Sequence, residues 1–469
     1  MSRVVVIGAG VGGLAAAIRL AHAGHAVTVL EQAALPGGKC GHVAAGDFTW
    51  DSGPSLLTMP WVFEELFADT GRPLREELEL LPVEPVTRYR FADGSGFDLS
   101  ADLPRSVAAL EAWSPGAGAD WERFMATCAG MWKASVPFLT GPPPLPRLAA
   151  RHRLRLAPRR EGPPAPGDLL RVKPWWTLRQ LARAHARDPR LRMVIERFAT
   201  YAGADPRRAP AALAVAGYVE HAFGAWHPRG GLYKLVEAMA RRLDTLGGEL
   251  RLATPVRRVV RRDGGVEGVE TDGGMVAADV VLSNADPRPL VEEQRSLSGF
   301  ALMLGLRGRT ENLAHHAITF PADYDAEFDD VFTARRPVRE PTLYVSAPSV
   351  TDREESAESW FVLVNAPAIG DAADWAGYEE ALIDRLGVRD RIVARARRTP
   401  GDLERETGGA GGAIYGRAPH GRLGTLRRPP NAVRGTRGLW LVGGTTHPGG
   451  GLPLVALSGR IVAEQIGPA

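Results

Sequence analysis

The apolar positions of the first thirty residues fall into three blocks. Val4–Ile7 is continuously apolar, the pattern of a strand buried on both faces. Leu14–Ala23 is alanine-rich, keeps helical spacing and stops at Gly24. Ala26–Leu30 is a second, largely apolar strand that ends in Glu31. The pattern predicts strand, helix and parallel strand, the opening unit of an α/β fold. Near the far end, Leu439–Val442 predicts another buried strand. Leu454, Leu457 and Ile461 then share one face of a helix that Pro453 opens, at the position proline favours. With 469 residues, two or more domains are expected.

The turn between the first strand and helix holds Gly8, Gly10 and Gly13 in the spacing G-x-G-x-x-G, with Gly12 beside them. Gly8 serves the tight turn, Gly10 lets backbone approach a pyrophosphate, and Gly13 lets helix and strand pack closely. Free N–H groups and the dipole at the helix start favour the phosphates. Glu31 then stands where a carboxylate binds ribose hydroxyls. Strand, helix, strand and acid in register predict dinucleotide binding.

Composition narrows the rest. A net charge of +3 gives no reason to expect a nucleic-acid partner. Cys40 and Cys128 are two isolated thiols, so neither a disulfide framework nor a metal site is expected. No stretch of about 18 apolar residues predicts a transmembrane helix, and the start does not read as a signal peptide, so a cytoplasmic protein is expected. Arg147–Lys173 carries eight Arg/Lys against Glu161 and Asp168, within a proline-rich stretch flanked by Leu169, Leu170, Trp175 and Trp176. It reads either as a solvated loop or as a surface segment, 147–176, that meets anionic headgroups while Trp and Leu dip into the interface.

"PGGKCG" (36–41) resembles the extension that follows this acid in FAD enzymes of the amine-oxidase and glutathione-reductase type. "DSGPSLLT" (51–58) brings in a narrower likeness, to the phytoene desaturase family of carotenoid-modifying flavoenzymes. "YAGADPRRAPAAL" (201–213), "YVEHAFGAWHPRGG" (218–231), "GGELRLATPVRRVV" (247–260), "VVLSNAD" (280–286), "PTLYVSAPSVTD" (341–352) and "WFVLVNAP" (360–367) extend it over nearly the whole chain. The resemblance implies a Rossmann-like FAD domain assembled from 1–90, 228–290 and 410–469, interleaved with an α+β substrate domain from 91–227 and 291–409. It implies FAD held by Gly8, Gly10, Gly12, Gly13, Glu31, Lys39, Ser55, Leu56, Val256, Asn284, Gly443, Gly444 and Pro453. The helix from Pro453 would turn its positive end toward the isoalloxazine.

The implied activity is desaturation of a lipophilic acyclic polyene by hydride transfer to flavin, in a peripherally membrane-associated enzyme. "THPGGGLPLVALSG" (446–459) resembles the branch acting on acyclic or hydroxylated carotenoids. The oxygenase, isomerase and amine-oxidase readings of the same family stay open, as does a non-enzymatic prenyl-binding protein of the same fold. The sequence does not identify the proton acceptor; Glu220 and His447 are the candidates, each with a structural reading beside it. Oligomeric state is not legible.

Overall fold

The computed structural model describes residues 1–142, 168–286, 290–352, 358–422 and 424–469. Its first unit is a five-stranded parallel sheet in the order Leu439–Leu441, Val280–Ser283, Arg3–Ile7, Ala26–Leu30, Glu249–Arg251. Val5 pairs with Thr28 on one side and Val281 on the other, so the first strand is central. That explains its unbroken apolar run. Val4 and Val6 face the helices, while Val5 packs with Leu30, Val269, Val281 and Leu439 on the opposite face. There a three-stranded antiparallel sheet (Val256–Arg262, Gly265–Thr271, Gly274–Ala277) covers it. Each such buried aliphatic side chain contributes about 1.5–3 kcal/mol.

The first helix spans Val11–His22 and packs against the helices Tyr233–Thr245 and Leu452–Ile466. It begins three residues earlier than the alanine run predicts. A β-carbon on Gly459 would lie 2.7 Å from the Ala16 nitrogen, so the first and last helices touch backbone to backbone. The last helix is buried at Leu452, Pro453, Ala456, Leu457, Ile461 and Val462, with Leu454 only partly covered. The single stripe expected there is wider because helices lie on more than one side of it.

The second unit is a seven-stranded sheet in the order Ile392–Arg398, Ser298–Leu306, Glu358–Ala366, Leu343–Ser346, His316–Thr319, Thr87–Arg90, Gly96–Leu99. All neighbours are antiparallel except His316–Thr319 with Thr87–Arg90. One face packs Phe300, Leu302, Leu304, Trp360 and Val362; the other packs Ala301, Met303 and Phe361 against Trp50. Strand Thr87–Arg90, grouped with the first segment in the sequence reading, lies in this second sheet.

Among the described residues no helix is long and apolar enough to cross a membrane. Most of the basic stretch after Arg147 lies outside the described residues. On its far flank Leu170 and Trp175 are 61% and 49% exposed, and the Lys173 ammonium lies 4.5 Å from the Trp176 ring centroid.

Candidate active site

The carboxyl ends of the parallel strands converge on the glycine turn. Gly8 takes φ +95°, a conformation that favours glycine, and a β-carbon on Gly13 would sit 2.3 Å from the Gly8 carbonyl. Gly10 is the N-cap of the first helix, and no side chain caps it. Its first-turn N–H groups are therefore free of a capping side chain, the arrangement that receives phosphate oxygens.

Asn284, just past the strand Val280–Ser283, organises this turn. A β-carbon on Gly10 would lie 2.6 Å from its Nδ2, and one on Gly443 (φ +113°) 2.5 Å from its Oδ1. A β-carbon on Gly12 would meet the Gly443 α-carbon at 2.9 Å and Asn284 Oδ1 at 3.0 Å. Gly10 and Gly12 are thus required by the protein's own packing, a reason the spacing alone does not reveal.

Glu31 is buried. Its carboxylate accepts from the Ala9 N–H at 2.7 Å and the Ala33 N–H at 2.9 Å. Two carboxylate oxygens have about four acceptor positions, so capacity for hydroxyl donors remains. Thr254 donates its N–H to the Glu31 carbonyl, which brings Val256 into the same corner, beside Leu30. Lys39 donates to the Ile414 carbonyl at 2.8 Å and pairs with Asp286 at 3.2 Å. In this structure it links the cradle to segments near both later strands.

The segment "DSGPSLLT" passes beneath. A β-carbon on Gly53 would collide with the Lys39 carbonyl at 1.8 Å. Asp51 accepts from the N–H groups of Leu232 (2.7 Å) and Tyr233 (2.9 Å) at the start of the helix Tyr233–Thr245. Burial pushes its carboxyl up to about 6, against those two donors. The Ser55 hydroxyl meets the Tyr344 hydroxyl, which lies 2.7 Å from His316 Nδ1. Leu56 packs instead with Val83, Val86 and Ala225.

At the terminal loop, Arg428 donates to the Gly444 carbonyl at 2.9 Å, and a β-carbon on Gly449 would touch its guanidinium at 3.3 Å. No carboxylate pairs with Arg428 among the described residues. Burial lowers it to about 10 and raises the neighbouring Tyr415 to about 12. Pro453, buried in the first turn of the last helix, follows Gly451 as N-cap. His447 is buried, with Nε2 2.9 Å from the Gly141 carbonyl and its ring edge-on to Phe138. A nitrogen facing a carbonyl carries the hydrogen, so His447 Nε2 is a donor there and anchors the loop.

Glu220 is buried on the helix Val215–Phe223. It accepts from the Tyr201 hydroxyl at 2.5 Å, and both terminal nitrogens of Arg197 donate to that same oxygen at 2.8 Å. Burial raises Glu220, while the Arg197 charge and the Tyr201 hydrogen bond oppose it.

Sequence reasoning missed Asn284 as a packing hub, and it missed Arg428, Tyr415, Arg197 and Tyr344. Asp51 and Tyr344 stood in quoted segments. Arg428 had no signal among so many arginines.

The residues fit a flavin dinucleotide. Glycines leave no room for side chains, no side chain caps the first helix, Glu31 keeps acceptor capacity, and Arg428 is a cation with no carboxylate partner among the described residues. Together they define a two-ended dinucleotide site of the flavoprotein class. The model of the flavin containing amine oxidoreductase family matches residues 11–300. A hydroxyneurosporene desaturase from Cereibacter sphaeroides is 35% identical over 99% of this chain and 97% of its own. A zeta-carotene-forming phytoene desaturase from Myxococcus xanthus is 33% identical over 99% and 93%. An oxidoreductase from Methanosarcina mazei shares the fold at TM-score 0.61 and 17% identity, over 98% of this chain and 100% of that one. The chain belongs to the flavin containing amine oxidoreductase family, and within it to the carotenoid desaturases.

Proposed function

We propose that this enzyme introduces carbon–carbon double bonds into an acyclic, lipophilic polyene, using FAD. The observation that carries the reading is a cradle intact at both ends, Gly8–Gly13 with Glu31 and Gly443 with Arg428, in a chain that aligns end to end with carotenoid desaturases. Bound FAD supplies a hydride acceptor, chemistry no side chain provides. The chain's own part is to hold, orient and neutralise. With FAD bound, Gly10, Gly12 and Asn284 would set the turn for the pyrophosphate, Glu31 would take ribose hydroxyls, and Arg428 would supply positive charge at the other end of the cradle. The FAD domain comprises the parallel sheet with its flanking helices, and the seven-stranded sheet belongs to the substrate domain.

Removing a hydride leaves a proton to be taken from the adjacent carbon. Glu220 is the group we assign to it. A carboxylate raised by burial is a better proton acceptor than an exposed one, and Arg197 acting through Tyr201 keeps it ionisable. We also place the enzyme on a membrane surface through the edge that exposes Leu170 and Trp175, because lipophilic substrates reside in membranes.

The test is expression in a pigment-free host supplied with acyclic polyenes, followed by mass analysis. Products lighter by two hydrogens per step are expected. Incorporated oxygen, or an isomer of unchanged mass, overturns the assignment.

A further inference from the structure

A cavity outside the cofactor cradle carries cations that its own acids do not balance. The strands Ser298–Leu306 and Glu358–Ala366 end together, with Ser298 paired to Ala366. Just beyond that pair, the segments 292–296 and 367–369 form two walls of a cavity of about 200 Å³. The helical turn Asp329–Ala334 and Arg335 add a third wall, and Arg208 lines it too. The volume is below the about 300–1,000 Å³ of sites for drug-sized ligands, so a long polyene does not fit and a small molecule does.

Three guanidinium groups here meet two carboxylates, which leaves one positive charge in excess. Arg335 is satisfied: it bonds Glu292 and, at 3.3 Å, Glu293. It does so from a left-handed backbone, φ +51°, that residues other than glycine rarely adopt. Arg295 donates to the Ala368 carbonyl at 3.0 Å, and the Glu292 carboxylate stands 3.9 Å away. Its buried Nε has no partner among the described residues. The exposed Arg208 side chain makes no hydrogen bond or ion pair among them either. A guanidinium only donates, so both groups call for an acceptor. Beside them Phe332, Val331 and Ile369 present apolar surface to the same cavity.

We propose that this cavity binds a small monocarboxylate with an apolar body. One negative charge balances the excess, a carboxylate matches the guanidinium fork, and the apolar wall receives the body. A phosphate group, at about −1.5 to −2 charges, would overbalance the site beside Glu292 and Glu293. Occupancy is passed on through Ser296, which lines the cavity. Ser296 donates its N–H to the Gly416 carbonyl at 2.7 Å, and its hydroxyl accepts from the Tyr415 N–H at 3.0 Å. Tyr415 packs against Gly450 and neighbours Arg428, at the terminal-loop end of the cradle. The cavity wall is thus one hydrogen bond from that segment.

The test titrates the FAD-loaded enzyme in neutral detergent with hexanoate, by calorimetry, beside hexanol and inorganic phosphate. Hexanoate is expected to bind saturably and at least about tenfold tighter than either control. Arg208→Gln should weaken it about tenfold and Arg208→Glu further. That side chain is exposed and unpaired, so neither change threatens the fold. Arg295→Gln should weaken it as well. A flavin difference spectrum that follows the calorimetric isotherm is expected from the Ser296 link, and binding that leaves the spectrum unmoved overturns that link. No saturable hexanoate binding, or affinity unchanged in both Arg208 variants, overturns the site. Hexanol binding as tightly makes the cavity merely apolar, and phosphate binding as tightly makes it a general anion site; either result overturns the carboxylate assignment.

Discussion

Gly12 and Gly443 stand so close that a β-carbon on the first would lie 2.9 Å from the α-carbon of the second. Two glycine loops from opposite ends of the chain therefore meet in direct contact, with the Asn284 amide beside them. Gly12→Ala forces them apart. The Val455 carbonyl, 3.2 Å from the same point, blocks the escape. Overpacking of this kind costs about 1–3 kcal/mol. The variant is expected to purify with less than half the flavin of the unaltered protein, read from the ratio of visible to protein absorbance. Full flavin content would show that the loops can part without loss.

Arg428 is a cation whose only hydrogen bond among the described contacts goes to the Gly444 carbonyl. If it faces the flavin, it favours the reduced, anionic form. Arg428→Gln keeps a donor and removes the charge. The midpoint potential of the bound flavin is expected to fall by at least about 30 mV, or about 1.4 kcal/mol for a two-electron couple. An unchanged potential in a fully loaded variant assigns Arg428 to loop structure alone.

Asp51 provides a pH signature. Its folded pKa is raised from 3.8 to about 6, so the native state holds the proton more tightly than the unfolded chain. The associated stability is fully present below the ordinary carboxylate range and is lost as pH rises through about 6. Two pKa units correspond to about 3 kcal/mol. Asp51→Asn does not titrate, so the stability difference between the two proteins should shrink by that order between pH 4 and pH 7.5. Parallel urea-melting profiles across that range would contradict the assignment.

Glu220 balances the buried Arg197 through Tyr201. Glu220→Gln leaves that guanidinium uncompensated and should cost about 3–5 kcal/mol. Adding Arg197→Met should recover most of the loss. If the stabilised double variant, with flavin bound, still reduces flavin with substrate at the normal rate and pH profile, Glu220 is not the proton acceptor.

Replacing Leu170 and Trp175 with serine should weaken sedimentation with vesicles of anionic lipid, since both side chains are exposed. High salt should weaken it further through the neighbouring cations. Equal pelleting of variant and unaltered protein would place the membrane contact elsewhere.

The opening strand–helix–strand unit and the terminal glycine loop were legible because their signals are local: continuous apolar runs, glycine spacing, a proline at a helix start. The first helix was placed late, at Leu14. Gly12 and Gly13 are poor helix formers in isolation, and only their packing on Asn284, Gly443 and the Gly8 carbonyl makes them helical. The membership of Thr87–Arg90 in the seven-stranded sheet was not legible, because its pairing with His316–Thr319 spans more than two hundred residues and leaves no local trace. His227 is likewise separated in sequence from His315 and His316, so their contact appears only after folding.

The parallel sheet takes its central strand from residues 3–7 and its last edge from residues 439–441. On the ribosome, the nucleotide turn emerges more than four hundred residues ahead of its closing partner Gly443. The N-terminal part must therefore wait, with part of its sheet edge and helix surface uncovered, until residues 439–466 arrive. The two-ended cradle is complete only once Gly443 has emerged, so a product cut short of it carries the Gly8–Gly13 and Glu31 end alone.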